Sequence, residues 1–397
     1  MKVLILNQFF YPDVAATAQM ATELAEDLAA RGFEMTAVAT RGGYLGGKPL
    51  PSRAEHCGIA VRRLAATSLG KRTLLYRAAD YGSFYALAAM EVARLPRQDA
   101  IIALTTPPLI AAAALPSRAL RGTRLIYWVQ DLYPELAVAF GAMDPRSPTT
   151  RAMQAASSHL LSHADRVIVL GEAMRHRVIA AGAHPHRTVV IPNWSDGDLI
   201  VPVPHGANPL RPVLAGKAHC LVTYSGNLGR GHDLETVLAC ARALRTRSDI
   251  AFLFIGDGAR RREVERAASE LPNLRLAPYQ PRERLALSLS AADLHLVTLA
   301  PQLAGLMEPS KLYGIMAAGR PILYVGPLES EVARTIERES CGRVHRNGDA
   351  QGLAASILAL ATAEEERRAL GERARRALET RYSRRVLTER FRQVLAA

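Results

Sequence analysis

The amino-acid sequence predicts an α/β protein made of two doubly wound parallel-sheet domains. Short apolar runs alternate with helical patterns from end to end, which is how parallel sheets covered on both faces read. The alternation dissolves once, between Ile191 and Gly216, where Pro192, Pro202, Pro204, Gly206, Pro209, Pro212 and Gly216 interrupt any regular element. The 397 residues suffice for two domains of ordinary size.

The elements follow in order. Val3–Leu6 reads as a first buried strand; Pro12 and Asp13 come too early after it for a signal peptide. The next helix carries Met20, Leu24 and Leu28 on one stripe, with Thr17 as N-cap and Gly32 as stop. Further strands are expected at Met35–Ala39, Ile59–Leu64, Ala100–Ala103, Leu125–Val129, Val167–Leu170 and Val189–Ile191. After the interruption, strands are expected at Cys220–Tyr224, Ala251–Ile255, Leu274–Leu276, Leu294–Thr298 and Ile322–Val325. The chain ends in helices, the last over Ser383–Leu395. The expected domains are residues 1–200 and 201–380, with 381–397 as the closing helix.

Composition narrows the function. Hydrophobic content of 49% with 22% charged residues is ordinary for a soluble globular protein. Cys57, Cys220, Cys240 and Cys341 are scattered, with no CxxC and no histidine cluster at metal-ligand spacing. Neither a disulfide framework nor structural zinc is expected, and the setting is a reducing one, hence cytoplasmic. A net charge of +13 fits a polyphosphate ligand or an anionic membrane surface; no nucleic-acid-binding signature accompanies it. The longest apolar tract, Ala100–Leu115, is broken by Pro107-Pro108 and too short to span a bilayer. The stretch Lys71–Leu95 sets Leu74, Leu75, Tyr76, Tyr81, Phe84, Tyr85 and Leu87 beside Lys71, Arg72 and Arg77. It reads either as a helix lying on an anionic bilayer or as an amphipathic crossover packed on its sheet.

Three places carry the chemistry. In EPSKLYGIMAAGRP, residues 308–321, Pro309-Ser310 leads into a short helix carrying Lys311 that stops at Gly319. A helix start beside a lysine favours an anion, so a nucleotide or phosphosugar is expected there; a capped helix with a solvated lysine is the plain alternative. In the second domain Gly226-Asn227-Leu228-Gly229-Arg230-Gly231-His232 follows a strand and precedes a helix, and Gly256-Asp257-Gly258 forms the next turn. Glycines permit close backbone approach to a diphosphate, and Arg230 and His232 offer charge-assisted bonds. A dinucleotide fingerprint would read GxGxxG, which this is not, although NAD stays among the candidates. In the first domain the loop Asn7–Thr17 and the pair Gln130-Asp131 both lie at the carboxyl edge of the sheet, where open α/β sheets bind ligands. Asp131 is the candidate catalytic or substrate-orienting carboxylate; as a helix cap it would be purely structural.

The order and spacing of several segments resemble the retaining GT-B glycosyltransferases of family 4. They are NQFFYPDVAATAQMATELAEDLAARG (7–32), YWVQDLYPE (127–135), DRVIVLGEAM (165–174), VVIPNWSD (189–196), YSGNLGRGHDLETVL (224–238), LFIGDGARRREVE (253–265), AADLHLVTL (291–299) and PSKLYGIMAAGRPI (309–322). The subgroup most similar makes O-antigen, capsule and exopolysaccharide, including fucose and N-acetylfucosamine transferases. The resemblance implies two Rossmann-like domains facing across a cleft, with the last helix crossing back to the first. It implies a bacterial, membrane-associated enzyme that moves a sugar from a UDP- or GDP-linked donor to a glycan or lipid-linked oligosaccharide, needing no metal or other cofactor. Asp13, Ala16 and Thr17 would approach the acceptor. Gly226, Asn227 and Gly229 with Arg230 would hold the diphosphate. Gly256, Asp257, Gly258 and Tyr279 would border the base, and Lys311, beside Glu308, Pro309, Ser310 and Leu312, would pair with the phosphates.

Two departures stand out. Where many members carry paired glutamates, this chain has Leu306 and Gly314, with Glu308 close by; where many have a histidine, it has Gln130-Asp131. Alternative readings are therefore a nucleotide-sugar epimerase of the same fold and a non-catalytic partner subunit.

Overall fold

A computed structural model describes residues 1–44, 46–67 and 74–397. The chain divides into two compact units, Met1–Pro192 with Thr388–Ala397, and Asn193–Leu387.

The first unit holds β1 (Lys2–Leu6), β2 (Glu34–Thr40), β3 (Arg53–His56), β4 (Ile59–Leu64), β5 (Ala100–Ala103), β6 (Arg124–Trp128), β7 (Arg166–Val169) and β8 (Thr188–Val190). The order is β3-β4-β2-β1-β5-β6-β7-β8, with β3 antiparallel to β4 and the other pairs parallel. Val3 to Leu6 are essentially fully buried, as a central strand covered on both faces requires. The chain winds outward in both directions from β1 and β5, so their carboxyl ends mark the switch point.

The second unit holds β9 (Cys220–Ser225), β10 (Ile250–Ile255), β11 (Leu274–Ala277), β12 (Leu294–Thr298), β13 (Ile322–Val325) and β14 (Gly342–His345), in the order β11-β10-β9-β12-β13-β14, all parallel. Its core includes Val222, Tyr224, Phe252, Phe254, Leu294 and Leu296. Here the switch point lies between β9 and β12.

Four local readings change. The strands β3 and β14 escape the sequence reading because they are edge strands, RAEH and GRVH, with little apolar alternation. The helix Ala16–Ala30 buries Met20, Leu24 and Leu28, but Thr17 lies inside it and not at its cap. Asp13 stands just before its start instead, accepting from the Ala15 and Tyr44 amides at 3.0 and 2.7 Å. The proline-rich stretch after Ile191 is packed and not wholly irregular: it holds a short helix, Arg211–Ala215, with Pro212 in its first turn, and Trp194, Ile200 and Asn208 are buried. Arg375 donates to the carbonyls of Gly197 and Ile200, and Asn208 to that of Leu287.

The helix Leu74–Arg94 buries Phe84, Ala88 and Val92, with Leu95 just beyond, at helical spacing. Phe84 is therefore core and not an outward membrane contact. Lys71, Arg72 and the side chains of Leu74, Leu75 and Arg77 lie outside what the structure describes. Phe84→Ala is expected to cost about 3–5 kcal/mol in urea unfolding of the first unit. Among the described residues no helix is long and apolar enough to cross a membrane.

The last helix, Arg384–Ala396, enters the first unit at Thr388. Phe391 packs edge-on against Trp128 with ring centroids 4.6 Å apart, and Arg124 donates to the Leu395 carbonyl.

Candidate functional site

In the second unit two glycine turns interlock at the carboxyl ends of β9 and β10. Gly226 donates to Ile255 O, and Leu228 to Asp257 O, each at 2.8 Å. A Cβ on Gly256 would stand 2.0 Å from Gly226 O, and one on Gly258 would stand 2.5 Å from the Asn227 side chain. With φ of +140° and +153°, both positions exclude other residues by backbone as well as by space. Asp257 is exposed and turns inward on its own loop, accepting from the Gly258 amide at 2.7 Å. Tyr224, fully buried at the end of β9, donates to the Asn227 carbonyl at 2.8 Å and so pins the turn from beneath.

The same Tyr224 ring floors Lys311, whose Nζ sits 3.6 Å from the ring centroid. That Nζ is buried and has no hydrogen-bond partner among the described residues. Burial drives its pKa well below the ordinary lysine value. A Cβ on Gly226 would lie 3.4 Å from Nζ, so the first glycine of the turn is where the lysine arrives. The helix behind it, Lys311–Ala317, has seven residues, and Ser310 corrects the expectation placed on it. Its φ and ψ are helical and its hydroxyl caps nothing, so the lysine, not a serine-capped helix end, supplies the attraction for an anion. Pro309 and Leu312 are buried in the same segment, and the Pro309 carbonyl accepts from the Leu312 amide.

His232 contradicts the charge expected of it. Burial, then the nearby Lys311, push its pKa down to about 3, so the ring is neutral. Nδ1 donates to the Thr298 carbonyl at 2.8 Å, which leaves Nε2 as an acceptor. Arg230 is exposed and lines, with His232, Asp233, Thr236, Ala300 and Asn347, a groove of about 580 Å³. Gly229 sits against the Asn227 side chain, and Tyr279 stands half exposed beyond the end of β11.

Glu308 has both carboxylate oxygens buried. Burial, with Glu331 adding to it, raises its pKa to about 8, while the Glu331 backbone and Arg334 pull the other way. It is a neutral acid at pH 7, able to donate a hydrogen bond. Leu306 is buried, and a Cβ on Gly314 would meet only Leu289 at 3.6 Å, so neither position presents an acid.

In the first unit, Thr105 organises the edge. Its hydroxyl accepts from the Gln130 and Asp131 amides at 3.2 and 3.1 Å, while Gln8 donates to Thr106 O at 2.7 Å. The structure thus brings Asp131 and the loop after β1 to one switch point. Gln130 is buried. Burial raises the Asp131 pKa to about 6. Ala16 is exposed and Thr17 half-buried at the start of the helix. Thr105 and Tyr224 were missed from sequence: each is an ordinary strand-end residue whose role appears only through its partners.

Two expected results follow. Thr105→Val leaves two amides without their acceptor and should cost about 1–3 kcal/mol in thermal unfolding of the first unit. The Asp131 acid is neutral below its folded pKa, so this group favours the folded state at low pH and that contribution is lost as pH rises through about 6. Asp131→Asn should therefore flatten the stability–pH curve of the first unit between about 4 and 6, measured by chemical denaturation.

Comparison with known proteins identifies the family. A glycosyl transferase 4-like domain model matches residues 16–194, and a glycosyl transferases group 1 model matches residues 219–363. The chain is 31% identical over 251 residues to the glycosyltransferase WbjE of Pseudomonas aeruginosa, a match spanning 63% of this chain and 62% of that protein's length. It is 25% identical over 360 residues to WcaI of Escherichia coli K12, named for colanic acid biosynthesis, covering 85% of this chain and 86% of that one. Among solved structures, sucrose-phosphate synthase of Thermosynechococcus elongatus superposes with a TM-score of 0.80 at 18% identity, covering 100% of this chain and 98% of that one. HepE of Anabaena, solved with UDP-glucose, gives 0.70 at 17%, covering 100% and 99%.

Proposed function

We propose, on the premise that this chain belongs to the GT-B glycosyltransferases of the family 4-like group, that it moves a sugar from a nucleoside diphosphate to a hydroxyl of a glycan in cell-surface polysaccharide synthesis, with retention of anomeric configuration. The observation that carries this is Lys311: a buried, unpartnered amine against two interlocked glycine turns at a switch point. An amine desolvated in this way costs the fold stability unless an anion completes it.

A UDP- or GDP-linked donor supplies that anion; neighbours such as HepE, solved with UDP-glucose, support the nucleotide class. The bond from the anomeric carbon to the β-phosphate oxygen breaks, and its electron pair leaves with the diphosphate. Lys311 and Arg230 stabilise that growing charge, which makes metal at the diphosphate unnecessary. The acceptor oxygen bonds the same carbon, and its proton passes to the departing phosphate oxygen. Asp131 orients the acceptor hydroxyl, and neutral Glu308 donates to a sugar hydroxyl. A lipid-linked acceptor at the cytoplasmic membrane face suits the +13 charge.

Product analysis tests the reading. With UDP- and GDP-sugars and lipid-linked glycans, sugar should appear on the acceptor only when acceptor is present. Conversion of donor alone would mark an epimerase, and absence of nucleotide binding by folded protein would mark a partner subunit. Nucleotide binding should persist in EDTA.

A further inference from the structure

The hairpin that joins β3 to β4 places three donor groups together on the first unit, at a place the glycosyl-transfer reading does not use. His56 Nε2 lies 2.7 Å from Glu26 Oε1, and one ligand atom each of Glu26, His56 and Cys57 lies within 4.8 Å of the others. Glu26 comes from the helix Ala16–Ala30, thirty positions away in sequence, so no local spacing announces the set. Cys57 is exposed in the hairpin turn with φ of +48°, followed by Gly58 at +77°. A turn of that kind favours asparagine, aspartate or glycine, and a cysteine gains nothing there from packing.

We propose that Glu26, His56 and Cys57 form a binding site for a zinc-like divalent cation, with water in the remaining position. Thiolate, imidazole and carboxylate together match the borderline softness of zinc. Zinc–ligand bonds of about 2.0–2.3 Å put tetrahedral ligand atoms about 3.3–3.6 Å apart, so a small rotamer adjustment closes the set. Binding displaces the Cys57 thiol proton, and any proton held between His56 and Glu26, to solvent.

The site has a purpose in the fold. The Tyr11 ring stacks on His56 with centroids 3.6 Å apart and an interplanar angle of 12°. The Tyr11 carbonyl accepts from Arg63 at 2.7 Å, and its amide donates to Thr22 at 3.1 Å. Fixing His56 therefore fixes Tyr11, in the loop between β1 and its following helix, and clips the exposed edge hairpin to that helix. The donor turn of the second unit takes no part in it.

Cobalt reports the ligand set directly. Metal-stripped full-length protein titrated with Co²⁺ is expected to give a thiolate-to-cobalt charge-transfer band that saturates at one ion per chain and that Zn²⁺ displaces. The other three cysteines are buried, so the band reports Cys57. Cys57→Ser should abolish the band, and His56→Gln should weaken Zn²⁺ binding, read by competition with a chromophoric chelator, by more than about 100-fold. Glu26→Gln should weaken it at least about tenfold, and all three variants should keep the wild-type far-ultraviolet circular dichroism. Absence of a thiolate band, a band that survives Cys57→Ser, or Zn²⁺ affinity unchanged by His56→Gln would overturn the proposal.

Discussion

Lys311→Met is expected to lower kcat/KM by about 100- to 1000-fold while raising the stability of the ligand-free second unit by about 1–3 kcal/mol. The opposite signs share one cause. The amine is buried over the Tyr224 ring without a hydrogen bond, so the empty protein carries its desolvation cost, and methionine fills similar volume without it. In the proposed complex the same amine faces a diphosphate. Kinetics and chemical denaturation of one variant read both effects, and a loss of stability together with unchanged turnover would make Lys311 structural.

The depressed pKa adds a pH signature. Between the lysine's lowered pKa in the free protein and its restored value beside a diphosphate, binding takes up a proton. Nucleotide affinity should therefore fall, by up to about tenfold per pH unit, as pH rises through that window. The ligand-free unit behaves the other way: its unfolded state holds more protons there, so its stability increases with pH. Calorimetric titration in buffers of different ionisation enthalpy measures the uptake.

Gly256→Ala is expected to cost more than about 4 kcal/mol and to leave the second unit unfolded at ordinary temperature. The added methyl would collide with Gly226 O, which belongs to the facing turn and cannot withdraw without breaking the Gly226–Ile255 hydrogen bond. The backbone at φ +140° adds strain of its own. Gly314→Ala is the matched control: its methyl meets one side-chain atom at an ordinary distance inside a helix, so stability should rise by about 0.5–1 kcal/mol. Calorimetry of the two variants separates a jammed turn from a general intolerance of alanine.

The parallel core was legible because central strands such as Lys2–Leu6 and Ile250–Ile255 are apolar on both faces and bounded by glycine or polar turns. The edges were not, since Arg53–His56 and Gly342–His345 carry side chains that water tolerates. Lys311 and the glycine turns drew attention in the sequence because a lysine at a helix start and glycines at strand ends are chemically conspicuous, and the structure sets Lys311 Nζ against Gly226. The roles of Thr105 and Tyr224 depend on which amide or carbonyl each meets across the sheet edge, and no local pattern encodes that. His232 shows the converse: sequence offered a histidine as a charged group for an expected phosphate, and only burial near Lys311 reveals that it stays neutral.

The most direct test of the account is a calorimetric titration of UDP and GDP into wild-type protein and Lys311→Met, both shown to be folded. The account predicts that one of the two nucleotides binds wild type with proton uptake, and that the variant binds it more than about 100-fold more weakly. Equal affinity in both proteins, or no binding of either nucleotide by wild type, would contradict the assignment of Lys311 and the glycine turns as the diphosphate site.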